Sequence, residues 1–317
     1  MFLTNEKIRE LTVGAAAVYE EENGLRFAKC TADQLAAWKE AAPWIYANAV
    51  GSTGVRMDFA TDSDFVTFTT GEYGKYEIKI NGMIRAQYVF READGHERKN
   101  TFTVQLEKCV NRVTLSLPSH GAGGIIASVE IADGAFIKRH RFDSRLLFLG
   151  DSITQGWNSK YDSMSYAWLV SDALNAESII QGIGGAIFAP STVLPMDFAP
   201  DTVVVAYGTN DWGYYSDYTT YRNAVHDTLA KVNELYGGAK IYVISPIWRQ
   251  DCGKTTKVGT FDDCCNTVRD MAALFGMTLI DGDNLVPPLM DYMADAVHPN
   301  DLGFGVYAAN VLRAMNQ

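Results

Sequence analysis

Five short apolar runs, at residues 146–149, 178–183, 202–207, 239–245 and 277–281, alternate with stretches of helical pattern at 163–175, 218–236, 262–275 and 301–315. Runs this short and this rich in apolar residues read as strands buried within a sheet. Strands that alternate with helices build a parallel sheet with helices on both sides, and such sheets bind ligands just beyond the carboxyl ends of their strands.

Before residue 143 the pattern is different. Short β-rich runs at 54–59, 65–69, 76–80, 86–90, 101–106, 112–117 and 127–131 are separated by turn residues, a spacing that predicts an antiparallel sandwich. Asn81-Gly82 and Asp94-Gly95 supply hairpin turn signals. At 317 residues and 47% hydrophobic content the chain has room for two domains with large cores. The expected division is an all-β sandwich over 1–143 and an α/β domain over 144–317.

The strand ends carry the chemistry. Leu146-Leu147-Phe148-Leu149 stops abruptly at Gly150-Asp151-Ser152-Ile153-Thr154, which presents the Ser152 hydroxyl at the rim of a cleft. A serine needs a base, and the base needs an orienting carboxylate. Asp295-Ala296-Val297-His298-Pro299-Asn300 offers both within one turn, and Pro299 stiffens it. The 202–207 run leads into Gly208-Thr209-Asn210-Asp211, and the 178–183 run into Gly184-Gly185. Those ends place the Asn210 amide and a glycine N–H on the same rim. With the Ser152 N–H they make three donors for the oxyanion of a tetrahedral intermediate. Asn300 or Asp301 is placed to cap the last helix.

These four segments, GDSIT at 150–154, GIGG at 182–185, GTND at 208–211 and DAVHPN at 295–300, resemble in order the four sequence blocks of the SGNH or GDSL hydrolase superfamily. A lone Gly-Asp-Ser is a common turn; four blocks in sequence are specific. The resemblance covers roughly residues 145–317. It implies a flavodoxin-like three-layer α/β/α fold, Ser152 as nucleophile, His298 and Asp295 completing the triad, and Ser152, Gly185 and Asn210 as oxyanion donors, with Gly184 an alternative for the glycine. Gln181 stands where the family usually has asparagine. The sandwich resembles the jelly-roll-like modules that precede the SGNH domain in two-domain carbohydrate O-acetyl esterases. Three roles are open to it: a structural or homodimer-forming module, a wall of the cleft, or carbohydrate binding.

Trp157, Trp212 and Trp248 all follow strand ends and would give the cleft flat walls suited to stacking sugar rings, if they are not simply core packing. Arg249 beside them reads as a surface ion-pair residue or a substrate contact. The expected activity is serine-dependent removal of O-acetyl groups from xylo- or manno-oligosaccharides, with no metal or organic cofactor. The alternatives are an esterase, thioesterase or acyltransferase on a non-carbohydrate substrate, and a sugar-binding protein with a vestigial site.

A net charge of −11 argues against nucleic acid or an anionic membrane as partner, since either needs a basic footprint. No apolar run reaches the length of a membrane span, and residues 1–7 lack the basic and apolar regions of a signal peptide. A cytoplasmic location is expected. Cys30, Cys109, Cys252, Cys264 and Cys265 are odd in number and show no CxxC spacing, which reads as reduced thiols, with a vicinal 264–265 disulfide as the sharper alternative.

Overall fold

The structure, a computed structural model, describes residues 1–316. Its contacts divide the chain into two compact units. The larger comprises residues 32–49, 143–160 and 164 onward; the other comprises 1–31, 50–142 and 161–163.

The larger unit is built on a parallel five-stranded sheet. In spatial order its strands are Ala176–Gly182, Ser144–Gly150, Thr202–Ala206, Lys240–Ile244 and Thr278–Ile280. This order, second strand outside the first and the rest following on the other side, is the flavodoxin-like one. Because neighbouring residues of a strand face opposite ways, each strand feeds two cores. Leu146, Phe148, Ile180, Val204 and Tyr242 join Trp168, Phe304 and Tyr307 in one cluster, where helices Tyr166–Ala173 and Asp301–Met315 pack on each other. Leu147, Val203, Val205 and Val243 point the other way and are also fully buried. Helices Tyr218–Tyr236 and Phe261–Leu274 form a second packed pair. Asp217 and Thr260 cap those two helices, Thr260 with Asp263 as a reciprocal capping box. Asn300, rather than Asp301, caps the last one, accepting from the Gly303 N–H.

The smaller unit is a sandwich of two antiparallel sheets. One runs Thr12–Val13, Arg56–Thr61, Asn111–Ser116, Gly74–Ile80 and Met83–Phe90, with Ile137–Arg139 also on Arg56–Thr61. The other runs Ala17–Glu21, Gly24–Ala28, Gly124–Ile131, Phe65–Thr70 and Asn100–Gln105. Phe27, Met57, Phe59, Phe68, Tyr76 and Leu115 fill the space within. Asn81-Gly82 closes a hairpin, with both residues at positive φ (53° and 82°) as a type I′ turn requires. Asp94-Gly95 does not: it ends a one-turn 3-10 helix, and the chain on either side belongs to different sheets.

The sequence division assigns all of 1–143 to the sandwich, whereas residues 32–49 pack with the α/β unit. Helix Ala32–Ala41 is anchored there by Gln34, whose amide pairs with that of Gln181 (Gln181 Nε2 to Gln34 Oε1, 2.8 Å). All five cysteines are free thiols. Among the described residues no helix is long and apolar enough to cross a membrane.

Phe148 is fully buried in the centre of the parallel sheet. Phe148→Ala is expected to destabilise the α/β unit by about 3–5 kcal/mol through lost burial and the cavity left behind; chemical denaturation followed by tryptophan fluorescence measures this, and a loss below about 1 kcal/mol would contradict that packing.

Candidate active site

Register brings the site together. Gly150 lies opposite Gly182 on one neighbouring strand and opposite Ala206 on the other. Ser152, Gly184-Gly185 and Gly208-Asn210 therefore leave three adjacent strands at one level. The middle strand is the one at which the chain order reverses, the place where open α/β sheets form their crevice. Asp151 caps the single helical turn Ser152–Gln155 by accepting the Ile153 N–H at 2.8 Å, and Gly156 closes it at φ 84°. This turn presses on its neighbour so closely that a Cβ at Gly182 would lie 2.2 Å from the Gln155 nitrogen.

The Ser152 hydroxyl lies 2.8 Å from His298 Nε2. On the other side of the ring, His298 Nδ1 is 2.8 Å from Asp295 Oδ2. The backbone N–H groups of Val297 and His298 both donate to Asp295 Oδ1, at 2.8 and 2.7 Å, so one short turn holds carboxylate and imidazole in register. Asn158, which nothing in the sequence singles out, donates to Asp295 Oδ2 at 2.7 Å. With Nδ1–H committed to the carboxylate, Nε2 is left to accept the serine proton. Ser152 is nearly buried at 6% exposure, whereas the Asp295 side chain is 44% exposed.

The neighbouring strand ends are tied into the same rim. Gly184 N–H donates to Gln155 Oε1 at 2.6 Å and Gly184 C=O accepts from Asn48 Nδ2 at 2.9 Å. Gly184's donor is thus occupied. The Gly185 N–H has no acceptor among the described residues. Gly185 sits at φ 84°, and a Cβ there would meet the Ile45 side chain at 2.7 Å, so only glycine fits. Asn210 Nδ2 donates one hydrogen to Ala186 O at 2.9 Å and keeps a second. Asp211 accepts the Phe188 N–H, and Tyr215 O–H donates to Phe188 O. These bonds strap the two loops into one rigid edge.

The tryptophans part company. Trp157 is half-buried with its ring 6.2 Å from that of His298. Trp212 is only 2% exposed, packed edge-on against Phe261 and donating its indole N–H to Gly259 O; a buried ring offers no face to a sugar. Trp248 is partly buried against the core that contains Ile247 and Phe304. Residues following a strand end can turn outward or back beneath the sheet, and the sequence carries no signal for which. Among the exposed aromatics of this unit are instead Trp44 and Tyr214, 59% and 44% exposed, with ring centroids 5.3 Å apart. Tyr214 ends the short helix that Asn210 begins. Arg249 pairs with Asp251 and donates to Thr209 O at 2.9 Å, bracing the Asn210 loop. Among the described residues no group of three or more His, Cys, Asp or Glu could hold a metal ion.

The chain belongs to the GDSL-like lipase/acylhydrolase family, whose sequence profile matches residues 148–306. No curated protein sequence matches it significantly. Solved structures similar in fold include the salicylyl-acyltransferase SsfX3 from a tetracycline biosynthetic pathway, with a TM-score of 0.82 and 16% identity over 96% of this chain and 93% of that one. A family two carbohydrate esterase from Clostridium thermocellum, in complex with cellohexaose, gives 0.73 and 13% over 96% of this chain and 97% of that one. The acetyl xylan esterase Est2A from the rumen bacterium Butyrivibrio proteoclasticus gives 0.62 and 15% over 83% and 89%.

Two carboxyl groups lie beneath the rim, fully buried. Burial pushes Asp151 up to about 7, against the opposing bonds from the Ile153 and Thr154 N–H groups. Burial likewise raises Asp211 to about 7, against the bond from Phe188 and helped by the charge of Asp151. Asp211 Oδ2 has no hydrogen-bond partner among the described residues, which suits a neutral carboxyl. A carboxyl raised in the folded state contributes stability that is intact below its unfolded pKa of about 4 and is lost as pH climbs through the folded value. Asp211→Asn should therefore gain stability relative to the parent between pH 5 and pH 8, measured by urea denaturation at each pH. Parallel stability curves for the two proteins would contradict a neutral buried Asp211.

Proposed function

We propose that the protein is a serine esterase that removes O-acetyl groups from carbohydrates through an acyl-enzyme. The observation that carries this reading is the unbroken chain Ser152 Oγ to His298 Nε2 to Asp295 at 2.8 Å per step. Ser152 attacks the ester carbonyl and His298 takes its proton, while Asp295 stabilises the imidazolium that forms. The oxyanion is met by Gly185 N–H, the free hydrogen of Asn210 Nδ2 and the Ser152 N–H. His298 then protonates the departing sugar hydroxyl. Water, deprotonated by the same ring, releases acetate.

Carbohydrate as the alcohol is supported by the likeness in fold to carbohydrate esterases, two of which are described as a cellohexaose complex and an acetyl xylan esterase. Trp157 beside His298 and the exposed pair Trp44 and Tyr214 are aromatic surfaces on which sugar rings can stack. A second reading, acyl transfer to an alcohol other than water, is favoured by the likeness to a salicylyl-acyltransferase. An added acceptor alcohol that captures the acyl group in preference to water would support that reading.

Ser152→Ala should abolish acetate release from acetylated xylo- and manno-oligosaccharides, and Asn210→Ala should cut turnover by roughly 10²- to 10³-fold. Acetate release at the parental rate by Ser152→Ala would overturn the assignment, and fast turnover of octanoyl but not acetyl esters would move it to a general acyl esterase.

A further inference from the structure

The Gly184–Gly185 peptide is held from a direction that the family blocks do not include. Its carbonyl accepts from Asn48 Nδ2 at 2.9 Å. Asn48 lies about a hundred residues before the region that the family profile matches, at the end of the excursion of residues 32–49 that packs with the α/β unit. In a planar trans peptide the C=O of one residue and the N–H of the next point in opposite directions. Fixing the Gly184 carbonyl on Asn48 therefore aims the Gly185 N–H away from Asn48, and that N–H has no acceptor among the described residues.

The clamp is two-sided. Gln155, buried in the serine turn, accepts the Gly184 N–H at 2.6 Å, so the residue before the peptide is pinned to the same turn that carries Ser152. Ile45, from the same excursion as Asn48, lies against Gly185. A glycine at φ 84° has no side chain of its own to hold its orientation. The external bonds from Asn48 and Gln155 supply what the residue lacks. A hydrogen bond to the carbonyl also polarises the amide and strengthens its N–H as a donor.

We infer that Asn48 is a positioning residue for the oxyanion site: through the Gly184 carbonyl it orients and strengthens the Gly185 N–H, and the excursion that carries it is thereby part of the catalytic machinery. This rests on the esterase reading above. The effect belongs to the transition state, since the ground-state carbonyl makes weaker use of the donor than the oxyanion does.

The test compares Asn48→Ala and Asn48→Asp with the parent on an acetyl ester, alongside Ser152→Ala. Asn48→Asp keeps the shape and puts a carboxylate oxygen against the Gly184 carbonyl, so it reports even if the alanine variant folds poorly. Losing an oxyanion donor outright costs roughly 10²- to 10³-fold, so a misaimed one is expected to lower kcat by about 10- to 100-fold with KM within about twofold. The inhibition constant of a trifluoromethyl ketone, whose serine adduct carries the tetrahedral oxyanion, should rise by the same factor as kcat/KM falls. A purely structural role would not tie those two numbers together. Parental kcat in both variants, or a loss of kcat with unchanged affinity for the ketone, would overturn the inference. An active Ser152→Ala protein would overturn the esterase reading instead.

Discussion

The site depends on the register of three parallel strands. Because Gly150 pairs with Gly182 on one side and with Ala206 on the other, the residues that follow them emerge at one height along one edge of the sheet. A slip by a single residue would turn the whole strand over and bury the wrong side chains in both cores. The register is therefore fixed by hydrophobic packing remote from the chemistry, and the hydroxyl, the glycine amide and the asparagine inherit their positions from it. Close approach of the serine turn follows as well, which is why glycine stands at 182, where a Cβ would meet the Gln155 backbone, and at 150, where it would meet the Thr154 side chain.

The carboxyl groups around this edge divide by environment. Asp295 is substantially exposed; burial opposes its ionisation, but the His298 backbone N–H and imidazole hold it below the ordinary aspartate range. It stays charged where charge orients a histidine. Asp151 and Asp211 lie out of water and are raised instead, and they bond to backbone N–H groups of the loops that bear the donors. One residue type thus serves both as a charged partner at the surface and as a brace beneath it whose charged form burial disfavours.

Much of this was legible in the sequence. The parallel strands were readable because burial leaves largely apolar runs, although the edge strand Thr278–Ile280 has two of its three residues exposed, and helices 218–236 and 301–315 have their expected bounds. The positions of Ser152, His298, Asp295 and Asn210 stood out because each follows a strand end or shares a turn. The strands at 12–13, 17–21, 24–28 and 137–139 were not foreseen. They are short and rich in charged or small residues, and pairing defines them more than pattern does. The membership of residues 32–49 was equally hidden, because it rests on contacts such as Gln34 with Gln181 and Asn48 with Gly184 that join points more than a hundred residues apart. The three tryptophans lie close to strand ends in the sequence, and proximity along the chain does not say which way a ring turns; Trp212 turns inward.

The central claim is that Ser152, activated by His298, forms the covalent intermediate. It is tested most directly by mixing the protein with a nitrophenyl acetate, quenching in acid within the first turnover, and locating any acetyl group by peptide mass spectrometry. The account predicts one acetyl group on the peptide containing Ser152, absent in the Ser152→Ala and His298→Ala proteins. An acetyl group on another residue, or turnover with the same early time course and no adduct in the parent, would contradict it.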